Sequence, residues 1–116
     1  MTPLMWWERS RAACDTEGWR GNDVDAGAIY RRLPGLTEGE AVALALAYHL
    51  GEGDAKVARA ADRTAPAWTL PGAGRDAGRG RMHGLVGALG GTLDARTMAR
   101  LVEWYAAGWD DVAADD

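Results

Sequence analysis

The sequence predicts an all-α fold: a small single-domain bundle of five to six short helices around a central apolar helix at residues 37–50. Three observations carry this. No stretch of the 116 residues alternates apolar and polar with a period of two, so no strand is expected. Apolar residues instead recur at helical spacing, as with Met98, Leu101, Val102 and Tyr105. Ser/Thr/Asp capping residues precede several of these runs, and Gly or Pro follows them.

Thr2 and Pro3 read as an N-cap and a first helical position, opening a helix over Pro3–Cys14 with Leu4, Trp7 and Arg11 on one stripe. Gly18, Gly21 and Asn22 mark the loop from Asp15 to Asp23, and a short helix from about Asp25 to Leu33 stops at Pro34-Gly35. Thr37-Glu38-Gly39-Glu40 is a capping box, in which the threonine hydroxyl accepts from the third helical N–H while the glutamate reaches back. The helix it starts is apolar on every face to Leu50, which predicts the buried centre of the bundle, with Gly51 as its end. Asp54 then caps a helix over Ala55–Ala61, and Thr64 caps a short segment holding Trp68 and Leu70 that Pro71-Gly72 ends.

Eight of the 16 glycines fall in Gly72–Gly91, which predicts a flexible Gly/Arg loop over residues 71–81 and a weak helix around Met82, Leu85, Val86 and Leu89. The final helix is expected over about Leu93–Ala107, with Gly108 as its left-handed cap and an acidic tail at 110–116. AYHLGEGDAKVARAAD and EWYAAGWDDVAADD share an aromatic helix end, a glycine, an aspartate and a Val-Ala pair. Alanine-rich helix ends share such features by composition, so no repeat is assigned.

Apolar residues form 47 % of the chain and charged residues 26 %, ordinary values for a globular protein that excludes collagen-like, mucin-like and disordered classes. The longest uncharged apolar run, Ala41 to Leu50, is far below the roughly 20 residues of a membrane span. With no leader pattern at the start and Cys14 as the only cysteine, a reducing cytoplasm is the expected location. The net charge of −4 is segmented: residues 1–55 sum to −4, residues 56–81 to +4 and residues 82–116 to −4. A basic centre between acidic ends fits contact with an anionic partner.

The segment Leu36–Leu70, LTEGEAVALALAYHLGEGDAKVARAADRTAPAWTL, resembles the helix-turn-helix of sigma-factor region-four-like domains and small phage antiterminators. Asp54, Ala55, Val57, Ala58 and Arg59 match the first helix of that motif, Asp62 stands at the turn, Thr64 at the cap, and Trp68 at the packing position of the recognition helix. The resemblance implies DNA binding in transcription control, with Arg59, Arg63 and Thr69 at the duplex. Arg75, Arg79 and Arg81 would add phosphate contacts. This chain departs from the motif where Pro71-Gly72 ends the recognition helix early and where its outward positions are mostly alanine, which cannot read base edges.

No catalytic, metal or cofactor pattern emerges. Gly72-Ala73-Gly74-Arg75-Asp76-Ala77 fits a dinucleotide fingerprint in form but lacks the preceding strand. His49 and His83 have no second ligand one turn away. The expectation is therefore a non-enzymatic regulator that acts by binding, without cofactor or metal and with no membrane contact. The alternative partner is a protein of a nucleic-acid-binding complex, blocked by a phage-type inhibitor or adaptor of anti-CRISPR-like kind. In that reading Trp6, Trp104 and Trp109 are the anchors, since interfaces favour tryptophan, and Asp110 and Asp111 present carboxylates. The sequence does not specify an oligomeric state.

Overall fold

A computed structural model describes residues 16, 18–61, 67–88, 90, 91 and 93–115. Among these residues stand four α-helices, α1 (Ala26–Arg32), α2 (Glu38–Ala61), α3 (Ala73–Ala88) and α4 (Ala95–Ala114), with 3-10 turns at Gly21–Asp23 and Ala67–Thr69 and no strand. The all-α class is as the sequence predicts, with fewer helices than five to six. The helix expected over Pro3–Cys14 lies outside the described residues. No helix among the described residues is long and apolar enough to cross a membrane.

Local chemistry sets the helix starts. The Asp25 carboxylate accepts from the Ala28 N–H at 3.2 Å and opens α1. The capping box forms as read: the Glu40 N–H donates to Thr37 Oγ1 at 3.1 Å, and the Thr37 N–H donates to Glu40 Oε1 at 3.2 Å. Asp94 opens α4 by accepting from the Thr97 N–H at 2.8 Å.

The helix ends differ from expectation at three glycine-rich places. The central helix does not stop at Gly51 but runs through Gly53 to Ala61, so the separate helix expected from Asp54 is the last two turns of α2. The last helix does not stop at Gly108 and carries residues 110–114 of the expected acidic tail. The Gly/Arg segment is not a loop: from Ala73 onward it is the first half of α3. The segment expected to carry a recognition helix is, over its described part, the single 3-10 turn Ala67–Thr69.

Gly51 and Gly108 stay helical because α2 and α4 cross there in direct backbone contact. A Cβ on Gly51 would overlap the Tyr105 carbonyl oxygen and lie 2.9 Å from its carbonyl carbon. A Cβ on Gly108 would overlap the Tyr48 carbonyl oxygen in the same way. Each glycine costs about 1 kcal/mol of helix propensity, which the close approach offsets by packing along the crossing. The approach also sets glycine Cα–H groups against facing carbonyls.

This crossing is built on an internal two-fold. Tyr48, Gly51 and Asp54 of α2 recur as Tyr105, Gly108 and Asp111 of α4, each 57 positions later. The Tyr48 hydroxyl donates to Asp111, and the Tyr105 hydroxyl donates to Asp54 at 2.5 Å, so each tyrosine reaches the other helix's aspartate and the helices run antiparallel. The caps Thr37 and Asp94 and the buried pair Leu44 and Leu101 keep the same offset. The similarity that composition alone leaves unassigned is thus a structural correspondence. The two halves, α1–α2 and α3–α4, present matching faces to each other.

The core gathers on this interface. Trp104 and Tyr48 are fully buried, with Tyr105, Leu44, Leu101 and Val112 around them. Trp19 closes one end, 5.7 Å from the Trp104 ring, and the Arg32 guanidinium covers Trp19 at 4.3 Å. His49 lies 2.6 Å from the Val24 carbonyl oxygen and 2.7 Å from Glu52 Oε1, which ties the strap before α1 to α2.

Candidate functional site

The basic segment acquires its geometry from α3. Gly74, Gly78 and Met82 recur every four residues and form the buried stripe of this helix. A Cβ on Gly74 would lie 2.9 Å from the Trp109 side chain, and one on Gly78 would lie 2.8 Å from the Tyr105 ring. These glycines therefore let α3 lie directly on the stacked Tyr105 and Trp109 rings of α4, whose centroids are 6.2 Å apart. The recurrence of small residues at this spacing was the sequence signal for a helix here.

Three arginines leave α3 in different directions. Arg75 reaches Glu103 of α4 through two contacts, Nε to Oε1 at 2.9 Å and Nη2 to Oε2 at 3.0 Å. The Glu103 carboxylate holds the Arg75 guanidinium above its ordinary value. Arg81 reaches Asp54 of α2 at 3.2 Å and thereby joins the Tyr105–Asp54 pair. Among the described residues Arg79 pairs with its helical neighbour Asp76, at 3.4 Å with both side chains mostly exposed. The expected run of phosphate-contacting arginines is thus divided: Arg75 and Arg81 pin α3 to its neighbours, and Arg79 faces solvent.

The remaining expected site residues are scattered. Arg59 is exposed on the last turns of α2, and Thr69 is exposed in the 3-10 turn. Arg63 and Trp6 lie outside the described residues, as does Cys14. Trp104 and Trp109, expected as interface anchors, are 0 % and 7 % exposed and belong to the core. Trp109 also donates through Nε1 to the Trp68 carbonyl oxygen at 2.8 Å, fixing the 3-10 turn. Asp110 is exposed, whereas Asp111 is half-buried as the acceptor of Tyr48. No three His, Cys, Asp or Glu side chains of the described residues assemble as a metal-binding group.

The tyrosine–aspartate pairs make stability depend on alkaline pH. Burial first, then the bonded carboxylate, pushes both the Tyr48 and the Tyr105 phenol well above the ordinary value of 10.0. The native chain therefore keeps both phenolic protons at pH values where the unfolded chain releases them. The contribution is complete below about pH 10 and is lost as pH rises beyond it. Urea midpoints between pH 8 and 11.5 are expected to fall with pH in the native sequence and to fall less steeply in the Tyr48→Phe/Tyr105→Phe double variant. Equal slopes in the two proteins would refute this assignment.

Concavities among the described residues mark the surface. One, of about 330 Å³, lies beside the Tyr48–Asp111 pair and mixes Arg20 and Lys56 with Glu52, Asp111 and Asp115. The other, of about 610 Å³, is an open groove between the C-terminal half of α3 and the first turns of α4. Val86, Leu93, Met98 and Ala99 line it, with Arg79 and His83 on its wall. Neither the groove nor the two-fold crossing is legible from periodicity alone: the groove depends on α3 being a helix, and the crossing on α2 and α4 running through Gly51 and Gly108. Comparison with protein-family models, curated proteins and solved structures finds no match for this chain.

Proposed function

We propose that this chain is a small non-enzymatic regulator that acts by binding another protein through the groove between α3 and α4. The observation that carries this reading is the groove itself: an open apolar surface large enough for side chains of a partner, on an otherwise acidic molecule. The division of the arginines supports it further. Arg75 and Arg81 already neutralise Glu103 and Asp54, so they lack the outward array that phosphate binding uses.

The DNA-binding reading rests on the charge of residues 56–81 and makes the opposite forecast. Titration of a labelled random duplex across a salt series separates the two. The expected result is no binding at low salt by the native chain. Salt-sensitive binding that is lost on changing Arg59 and Arg79 to alanine would favour DNA and overturn the protein-binding reading.

A further inference from the structure

Resting on the protein-binding reading, we infer that the α3–α4 groove is the docking site for an amphipathic helix of a partner protein, one with acidic residues beside its apolar stripe. The internal two-fold gives the first argument. The apolar groove residues Val86, Leu93 and Met98 correspond, 57 positions earlier, to Ile29, Leu36 and Ala41. Those three are 0 %, 9 % and 0 % exposed, because the short α1 folds down over the start of α2. In the second half the same positions are less covered: Val86 and Met98 are half-buried along the groove, and Leu93 is 43 % exposed.

The cause is the length and anchoring of α3. Its first half is held by Gly74 and Gly78 against the aromatic rings and by the Arg75–Glu103 and Arg81–Asp54 pairs. This 16-residue helix, anchored there, leaves an open groove between its C-terminal half and the first turns of α4. Among the described residues no element covers this groove as α1 covers the start of α2.

Charge selects the occupant. Arg79 and His83 stand one turn apart on the groove wall, and among the described residues no carboxylate lines the groove. The Arg79–Asp76 contact is long and exposed, so it exchanges readily for a partner carboxylate. An acidic flank is therefore matched, and a basic one is opposed. Shape selects a helix: the wall from Arg79 to Gly87 is roughly 12 Å long, about two helical turns. The described residues offer no strand edge to which an extended peptide could add.

Two synthetic helical peptides test this, with leucine at i, i+3, i+4 and i+7 and either glutamate or lysine at the flanking positions. Each is titrated into the full-length ¹⁵N-labelled chain. The glutamate peptide is expected to shift amides of residues 79–88 and 93–99 and to bind at least tenfold tighter than the lysine peptide. The R79E/H83E variant should reverse that order while its remaining amide spectrum stays native. Equal affinity for both peptides would overturn the proposal, as would shifts centred on the exposed Val42, Leu46 and Val57 of α2 or no binding by either peptide. None of these outcomes bears on the duplex titration, so failure of the acidic-helix assignment and failure of the protein-binding reading remain separable.

Discussion

Alanine at Gly51 or at Gly108 is expected to destabilise the protein by about 3 kcal/mol, at the upper end of overpacking costs. The added methyl at either position would occupy the space of a backbone carbonyl on the facing helix. A rotamer change cannot relieve this, so α2 and α4 must separate along the whole crossing. Separation would loosen the Tyr48–Asp111 and Tyr105–Asp54 bonds and the packing of Leu44 and Leu101. The gain in helix propensity, about 1 kcal/mol, is too small to compensate. Gly53 is the control. It lies on the same helix, is exposed and has nothing within 4 Å of a built Cβ, so Gly53→Ala should stabilise the fold by about 0.5–1 kcal/mol. Urea unfolding of the three single variants checks both signs. A Gly51→Ala protein as stable as Gly53→Ala would mean that the two helices do not meet there.

Trp104→Ala should cost about 3–5 kcal/mol, because it empties the most enclosed large side chain of the core. The two core tryptophans differ in their polar atoms, and that difference is measurable. Trp109 Nε1 donates to the Trp68 carbonyl oxygen, whereas the buried Trp104 Nε1 has no acceptor among the described residues. Phenylalanine at 109 removes a satisfied donor and leaves a carbonyl without its partner. At 104 it removes a donor whose burial was already unfavourable. Trp109→Phe is therefore expected to cost about 1–2 kcal/mol more than Trp104→Phe. Equal costs would show that Trp104 Nε1 is satisfied in solution, by a trapped water or another acceptor.

The fold class and the helix starts follow from the sequence because both rest on local chemistry. The Thr37–Glu40 box acts within one turn of chain, and the Asp25 cap needs only the N–H three residues on. Helical spacing of apolar residues likewise identifies α4 without reference to any neighbour. The apolar stretch from Ala41 to Leu50 is helical as expected, but it is not buried on every face, since Val42 and Leu46 are exposed, and the helix runs on past Gly51.

What tertiary structure decided is the meaning of glycine, tryptophan and arginine. A glycine reads locally as a helix stop, because freedom at φ is all that the single chain reveals. Gly51, Gly74, Gly78 and Gly108 are instead positions where another backbone or ring leaves no room for a Cβ. Trp104 and Trp109 suit an interface and a core equally by composition, and only the antiparallel pairing of α2 and α4 turns them inward. Arg75 and Arg81 add to one basic segment in sequence but point to carboxylates on different helices once α3 forms. In each case the deciding contact is with a residue distant in sequence, so periodicity and capping, which act over a few residues, carry no information about it.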